Sequence, residues 1–483
     1  MEQVSIKKNY IYNTLYEILA IISPLITAPY ISRVFGSDGV GIYSYTNAVA
    51  VYFTMFAALG IKSYGQREIA QHRDNKEQCS KLFWELEVVC ISSTIIALLG
   101  WSVLVILSEK YSIYYFVLTM TVFATVFDIS WFWNGQEQFK FIVIRNSVVK
   151  ILGIVLLFTL VHEKSDLVLY MAIISGMNLL GNISMWSYLK KYIVKIDIKS
   201  LSVKKHYKQT IIYFVPTVAT SIYTVLDKVM IGWITKDDSQ NGYYEQATNI
   251  INMCKTIAFS IITVVSSRLS FLFTKEDHAE IKRKITQTLS FVTLVSIPIS
   301  FGICAIASRF VPLFFGKGYD ETVFMIYLLA PLTVIVGLSN CFGSLYFTPS
   351  GQRSRSNKAI VTGAIINLFF NLLFINIWNA RGAAIASLVA ESSITVMYLF
   401  MARKYYDLLL IPKIIWKRLL ASSVMFIMII CFSYLLKDFS DIIVLSVQIV
   451  FGMIIYGIAL LLLKDKFLFD VIIKCREMIC GKK

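Results

Sequence analysis

A polytopic all-α membrane protein of about 14 transmembrane helices is the fold this sequence predicts, and three observations predict it. Hydrophobic residues make up 57% of the 483 and charged residues only 16%, whereas a soluble domain carries roughly 25% charge. Apolar stretches near the ~20 residues that cross a hydrocarbon core recur along the chain. The 46 Lys and Arg gather in alternate connections, as they do in the cytoplasmic loops of membrane proteins. With a mean hydropathy of +0.66, the composition excludes a soluble enzyme, a secreted disulfide scaffold and a disordered chain. No stretch is left over for the large soluble domain of a single-span receptor.

The first span, 10–32, is too long for a cleavable signal, carries Glu17 and lacks a small-residue cleavage pattern. Its Pro24 and Pro29 each free a carbonyl inside the bilayer and predict a bent, movable helix. Spans 2 to 6 follow at 40–62, 82–107, 112–133, 141–161 and 167–189, separated by short polar breaks. The longest connection then runs from Lys190 to Lys208 with seven Lys. Spans 7 to 12 lie at 208–234, 242–268, 285–308, 321–347, 358–377 and 382–402, with Pro216 in span 7 where span 1 has its prolines. Spans 13 and 14 lie at 415–436 and 441–463. The expected organisation is an N-terminal lobe over 1–190, a basic linker over 191–207, a C-terminal lobe over 208–403, and two helices with a tail over 404–483.

An internal repeat relates the two lobes. Gly41-Ile-Tyr-Ser-Tyr-Thr-Asn47 opens span 2 and Gly242-Tyr-Tyr-Glu-Gln-Ala-Thr-Asn249 opens span 8, an offset of 201; Gly135-Gln136 and Gly351-Gln352 precede spans 5 and 11, an offset of 216. Six spans per copy keep one orientation, so the pseudo-two-fold axis runs along the membrane normal, as in transporters with parallel repeats.

Charge placement gives the topology. The N-terminus, the even-to-odd connections and the tail hold 35 Lys and Arg; the odd-to-even connections hold eight, and Lys150, Lys228 and Lys255 lie within spans. Both termini are thereby expected in the cytoplasm. The net charge of +16 is then a consequence of topology, and nucleic acid is not an expected partner. The outer loops are all short, which leaves no room for an extracellular catalytic domain.

Ionisable groups inside spans cost about 2.5–3.5 kcal/mol each and normally face a bundle interior or a wet cavity. Here they are Lys150, Lys255 and Glu391 near mid-depth, with Glu17, Asp128, Asp227, Lys228 and Glu245 less central. Helical spacing extends them into polar stripes: Asn146, Lys150 and Gly153 on span 5; Thr217, Ser221, Thr224 and Lys228 on span 7; Glu245, Thr248, Asn252 and Lys255 on span 8; Ser387, Glu391 and Thr395 on span 12. Stripes from both lobes suit a central hydrophilic cavity. Its lysines suggest an anionic substrate, phosphate above all, and an acid in apolar surroundings suits a coupling ion. The alternative for any single charge is a structural ion pair.

Other chemistry is sparse. The eight Cys read as reduced thiols and the four His as loop residues, so neither a metal site nor a cofactor is expected. Asn182-Ile-Ser184 fits a glycosylation acceptor but sits inside span 6.

At this point the motifs carry a family resemblance. Ser23-Pro-Leu-Ile-Thr-Ala-Pro-Tyr-Ile-Ser-Arg33-Val-Phe-Gly36, running on to Asn47, resembles the opening of bacterial Wzx-type oligosaccharide flippases. Tyr64-Gly-Gln-Arg67-Glu-Ile-Ala70, Asp227-Lys-Val-Met-Ile-Gly232, Gly242-Tyr-Tyr-Glu-Gln-Ala247 and Arg381-Gly-Ala-Ala-Ile-Ala-Ser-Leu-Val-Ala-Glu391 are similar to the same family, and the likeness covers about residues 5–405. The resemblance implies a non-enzymatic carrier of the bacterial inner membrane, within the superfamily that also holds multidrug exporters and lipid II flippases. It would flip a polyprenyl-diphosphate-linked oligosaccharide to the outer leaflet by alternating access, driven by a proton or sodium gradient, for a capsule or O-antigen type polymer assembled outside by a polymerase. Lipid II flippases carry an Arg-Asp pair partway along their first helix, where this chain has Thr27-Ala28, so their phosphate-binding residues do not transfer.

The site expectations therefore come from the stripes. Lys150, Lys228 and Lys255, with Asn146 and Asn252, are the candidate substrate contacts; Glu391, Asp227 and Glu17 the candidates for ion coupling; Arg33 and Arg67 the candidate gates, or simple helix-end anchors. Two rival readings stand beside this one. A multidrug or cation antiporter of the same architecture would want an acid-dominated cavity, and a membrane polysaccharide polymerase or ligase would want a long outer loop.

Overall fold

A computed structural model describes residues 6–436 and 439–479, and among the described residues every regular element is helical. The chain opens with α1 (Ile6–Ala58), which departs from helical geometry at Gly36, and α2 (Ile61–His72) follows after a turn at Gly60. Next come α3 (Lys76–Leu107), α4 (Ser112–Phe123), α5 (Ser130–Gly135), α6 (Phe139–Leu160) and α7 (Leu167–Ser184). After the linker, α8 (Lys204–Thr224) and α9 (Leu226–Thr235) meet at a 53° bend, and α10 (Asp238–Thr274) and α11 (His278–Phe315) follow. The remainder is α12 (Asp320–Leu329), α13 (Leu332–Phe342), α14 (Arg353–Ala402), α15 (Leu410–Leu435), α16 (Asp441–Leu462) and α17 (Lys466–Ile479).

Among the described residues, eleven helical runs are long and apolar enough to cross a membrane, and the bent pair α8–α9 makes a twelfth. Two of the runs are double. Ile22–His72 spans 51 residues across the break at Gly36, and the 50 residues of α14 break at Asn379, whose φ is 53°. A straight helix of 50 residues would extend about 75 Å, far beyond one bilayer. Counting each half separately gives fourteen crossings, the number and order the sequence predicts, in a multi-pass membrane protein. Their outer faces are apolar: Ile96, Ile106 and Leu435 are more than two-thirds exposed, which lipid accommodates and water does not.

The chain packs into two compact units, Met1–Gly242 and Tyr243–Lys483. The first has two apolar clusters. One gathers Phe35, Trp101, Tyr115 and Met171 from α1, α3, α4 and α7; the other gathers Tyr64, Phe83, Trp131 and Trp133 from α2, α3 and α5. In this unit α8 packs on α2 and α3, and α9 on α1. The second unit centres on Leu289, Phe342, Phe347 and Tyr398. There α15 and α16 pack on α11, and Arg418 of α15, only 1% exposed, reaches the Ser290 carbonyl at 2.6 Å and Asp465 at 3.2 Å. The last two spans are therefore part of that unit's core.

One expectation is corrected here. Of the four His, only His162 lies in a loop: His72 ends α2, His278 begins α11, and His206 lies in the first turn of α8, 1% exposed. His206 bonds a Glu85 carboxylate oxygen at 2.7 Å through Nε2 and the Tyr64 hydroxyl at 2.9 Å through Nδ1. The surrounding lysines suggested a solvated loop; the buried carboxylate of Glu85 draws the linker's end onto α3 instead. Asn182, in the acceptor-like triplet, is buried and donates to the Ala124 carbonyl.

Candidate substrate site

Two polar cavities open within the first unit. The larger, about 650 Å³, is lined by the end of α1, the start of α2, α4, α7 and α8. Local backbone chemistry shapes it. Gly60, at φ +73°, turns the chain between α1 and α2 while lying against the backbone of Thr210 and Phe214, where a Cβ would sit 2.5 Å from the Thr210 carbonyl. That turn brings Lys62 to the cavity. Opposite, the chain leaves α4 through a 3-10 turn at Ala124–Phe127, and Asp128 follows in non-helical geometry, accepting from the Ser130 amide at 3.2 Å. The Lys62 ammonium meets the Asp128 carboxylate at 2.7 Å. Lys62 is 61% accessible along its side chain and Asp128 14%, so the lysine stands in the cavity and the acid in its wall.

On the α8 side, Pro216 cannot continue the helical hydrogen-bond ladder. The carbonyl that loses its ladder bond is that of Ile212, one turn back; separately, the Thr220 hydroxyl donates to the Pro216 carbonyl at 3.0 Å, and Thr217, Ser221 and Thr224 face the cavity beside it. The polar stripe expected on span 7 thus lines the space as far as Thr224. The helix ends there, so Lys228 belongs to the separate segment α9.

The smaller cavity, about 320 Å³, is lined by Ser23 and Thr27 of α1, Arg145, Asn146, Lys150 and Gly153 of α6, and Tyr170 and Asn178 of α7. Asn178 lines both spaces. The whole expected stripe of span 5 is present here. No acidic side chain among the described residues pairs with Lys150, on which burial acts alone. Among the described residues, the ionisable groups lining the two cavities are Lys62, Arg145 and Lys150 against one acid, Asp128. A bound anion would complete that balance, whereas a cation would meet net repulsion.

The other expected residues are placed as follows. Asp227 is 3% exposed at the start of α9 and acts electrostatically on Tyr52. In the second unit, Lys255 of α10 lies within electrostatic reach of Glu391 of α14, and Asn252 is exposed on α10. Arg33 is exposed one turn before the Gly36 break. Arg67 is exposed on α2 and donates to the Tyr213 hydroxyl. The side chain of Glu17 lies outside the described residues.

Sequence reasoning missed three residues here. Lys62 and Arg145 were counted as loop cations because they sit at the ends of apolar stretches, yet both face the cavities. Glu87, one turn into span 3, is 1% exposed, and neither carboxylate oxygen has a hydrogen-bond partner. The available signal was an acid pair, Glu85 and Glu87, in a stretch read as apolar.

The model of a family described as polysaccharide biosynthesis protein matches residues 6–272. The chain is 23% identical over 406 residues to the "Putative O-antigen transporter" of Escherichia coli (strain K12), covering 83% of this chain and 97% of that one. It is 21% identical over 184 residues to the "Probable low-salt glycan biosynthesis flippase Agl15" of Haloferax volcanii, covering 38% and 39% of the two chains. Among solved structures, the lipid II flippase MurJ in an inward closed conformation superposes with a TM-score of 0.73 at 18% identity, over 96% of this chain and all of that one. An inward-facing multidrug resistance transporter of the MATE family superposes with a TM-score of 0.58 at 11% identity, over 80% and 98%. At those identities the two structures speak to fold alone.

Proposed function

The chain belongs to the polysaccharide biosynthesis protein family, and from that premise we propose that it is a flippase for a polyprenyl-diphosphate-linked oligosaccharide. The substrate passes from the cytoplasmic to the outer leaflet of a bacterial inner membrane by alternating access of two lobes, driven by an ion gradient, and supplies a polymerase that builds a surface polysaccharide. The relatives' names, an O-antigen transporter and a glycan biosynthesis flippase, support this substrate class.

The observation that carries the reading is the cationic cavity pair. Lys150 has no acidic partner among the described residues, and Arg145 and Asn146 of α6 and Asn178 of α7 line the same cavity. A diphosphate supplies the missing negative charge and enough acceptor oxygens for a lysine, a guanidinium and two amides. Lys150, with Arg145 and Lys62, is therefore the diphosphate site, and the polar wall of α8 takes the sugars. Both termini lie in the cytoplasm on this reading. Moving Lys62, Arg145 and the buried Arg418 out of the loop count leaves 32 cations on that side against eight, still a decisive asymmetry.

The same cavities speak against the multidrug antiporter. A cationic drug would enter a space with three fixed cations and one carboxylate. The test is reconstitution in liposomes loaded with polyprenyl-diphosphate oligosaccharide, scoring headgroup accessibility across the bilayer. Movement stimulated by a proton or sodium gradient is expected; no movement under either gradient, with a cationic dye transported instead, would overturn the flippase.

A further inference from the structure

The second unit holds a cavity of its own, about 340 Å³, whose lining shares no residue with the substrate site. Its floor is apolar: Ile281 and Ile285 of α11, Phe342 of α13 and Tyr406 just past α14 are all buried. Tyr346, from the π turn Gly343–Phe347 that follows α13, and Tyr405 also line it, with their rings 5.1 Å apart. The rim is polar. His278 and Lys282 are exposed on the first turns of α11. The Tyr405 hydroxyl accepts from the Arg355 guanidinium at 3.1 Å and keeps its own proton to donate. The acids nearest in sequence are engaged elsewhere: Asp277 accepts the Glu280 amide, Glu280 takes the Arg283 guanidinium through both oxygens, and Asp407 accepts the Leu409 amide. Among the described residues no acid lines the cavity. The internal repeat shows why the space is open. At the 216-residue offset that aligns Gly135 with Gly351, Trp186 aligns with Ala402. In the first unit Trp186 packs on Phe83 at 5.8 Å and Phe127 at 6.3 Å; in the second unit the small Ala402 lines the cavity instead.

The depth of the cavity in the membrane selects its ligand. Lys282 stands three residues before the apolar stretch 285–308, and Tyr405 three residues after the stretch 382–402. The rim therefore lies at the level of lipid headgroups and the floor where acyl chains begin. Tyrosine and lysine at that level ordinarily serve as interface anchors, but here they surround a hollow. Resting on the orientation proposed above, in which this end of the unit faces the cytoplasm, we propose that the cavity binds the headgroup of an anionic phospholipid of the cytoplasmic leaflet. The phosphodiester oxygens take the Lys282 ammonium and the Tyr405 hydroxyl. The glycerol backbone and first methylenes lie on Phe342, Tyr346 and Ile285. Free phosphate would leave that apolar floor against water, and a zwitterionic lipid would bring its own cation toward Lys282.

The experiment uses the full chain, purified in detergent, delipidated and titrated with phosphatidylglycerol or phosphatidylcholine, with native mass spectrometry counting the lipid retained. The wild type is expected to retain one phosphatidylglycerol well in preference to phosphatidylcholine. Lys282→Gln removes the rim charge and should lower that preference about fivefold, the worth of one lysine beside an anionic lipid surface. Ala402→Trp restores the bulk that the first repeat carries and should lower it as far. Lys275→Gln is the charge-matched control, because its ammonium lies over the Phe271 ring at 4.8 Å and outside the cavity lining. Lys282 is exposed, so its substitution decides the point even where the added indole is not accommodated. Equal retention of the two lipids by the wild type overturns the proposal, as does a Lys282→Gln preference matching that of Lys275→Gln. Inorganic phosphate that displaces phosphatidylglycerol at equal concentration assigns the cavity to a soluble anion and overturns it too. Binding in detergent is independent of sidedness, so the orientation is read separately: labelling of Lys282→Cys by a membrane-impermeant maleimide in intact cells, above the wild-type level, overturns the orientation and the choice of leaflet but leaves the binding result standing.

Discussion

Gly41 and Gly242 make reciprocal contacts with each other's helices. A Cβ on Gly41 would overlap the carbonyl oxygen of Asp238, and one on Gly242 would overlap the carbonyl oxygen of Ser37. In both cases the obstacle is backbone, which cannot rotate away as a side-chain tip would, so the crossing exists only with small residues. These are the two glycines that the 201-residue repeat aligns. Beside them the Asp238 carboxylate receives the Tyr111 hydroxyl at 2.6 Å and the Lys110 ammonium at 2.7 Å. Partial desolvation would depress Lys110, but Asp238 outweighs it and holds the lysine above its ordinary range.

Valine at either glycine should therefore lower stability by about 1–3 kcal/mol, the usual cost of overpacking. Gly176→Ala is the control, because nothing lies within 4 Å of the added methyl. Thermal unfolding in detergent decides the point. Equal midpoints for Gly41→Val and Gly176→Ala would mean that the crossing is looser than described.

Lys150→Ala should separate transport from folding. Most substitutions in a packed interior destabilise, but Lys150 is half-buried with no acidic partner among the described residues, and removing such a cation relieves an electrostatic cost. Headgroup movement is expected to fall at least tenfold while the unfolding midpoint holds or rises. A matching fall in both would reassign Lys150 to structure.

His206→Ala should loosen the linker. The imidazole joins Glu85, 0% exposed, to Tyr64 across 121 and 142 residues of sequence. Glu85 keeps the Ser202 amide at 2.7 Å and the exposed Lys205 at 3.0 Å when the ring is removed. The loss should accordingly be about 1–3 kcal/mol, the cost of leaving a buried polar group partly unsatisfied. Limited proteolysis between Lys190 and Lys208 is expected to accelerate; unchanged cleavage with an unchanged midpoint would show that the linker does not depend on this contact.

The number and order of spans were legible because crossing a bilayer demands length and apolarity, and both are properties of contiguous sequence. Helix ends were not, because the helices continue past their apolar stretches: α2 runs to His72 and α3 begins at Lys76, beyond the expected limits of 62 and 82. Lys62 and Arg145 were counted with the loops because each sits near the end of an apolar stretch. The stripe on span 5 transferred intact, since spacing along one straight helix is readable. The stripe on span 7 transferred only to Thr224, because the bend before Lys228 depends on packing. The burial of Glu87 was not legible because it depends on helices that pack on α3 from distant stretches of the chain.

Arg418 gives the most stringent test of how the last two spans are held. Its guanidinium bonds the Ser290 carbonyl and the Thr293 hydroxyl of α11 and faces Asp465, itself 4% exposed, just before α17. One side chain thereby ties α15 to α11 and to the chain leaving α16. Arg418→Met keeps much of the volume but strands Asp465, and breaking one side of a buried pair costs about 3–5 kcal/mol. Replacing both partners, Arg418→Met with Asp465→Leu, removes the stranded charge and should recover most of that loss, whereas two independent contributions would add. Unfolding midpoints of the two single variants and the double variant measure the coupling. A double variant as unstable as the sum of the singles would show that Arg418 acts through its α11 contacts alone, and that Asp465 merely caps the helix that follows it.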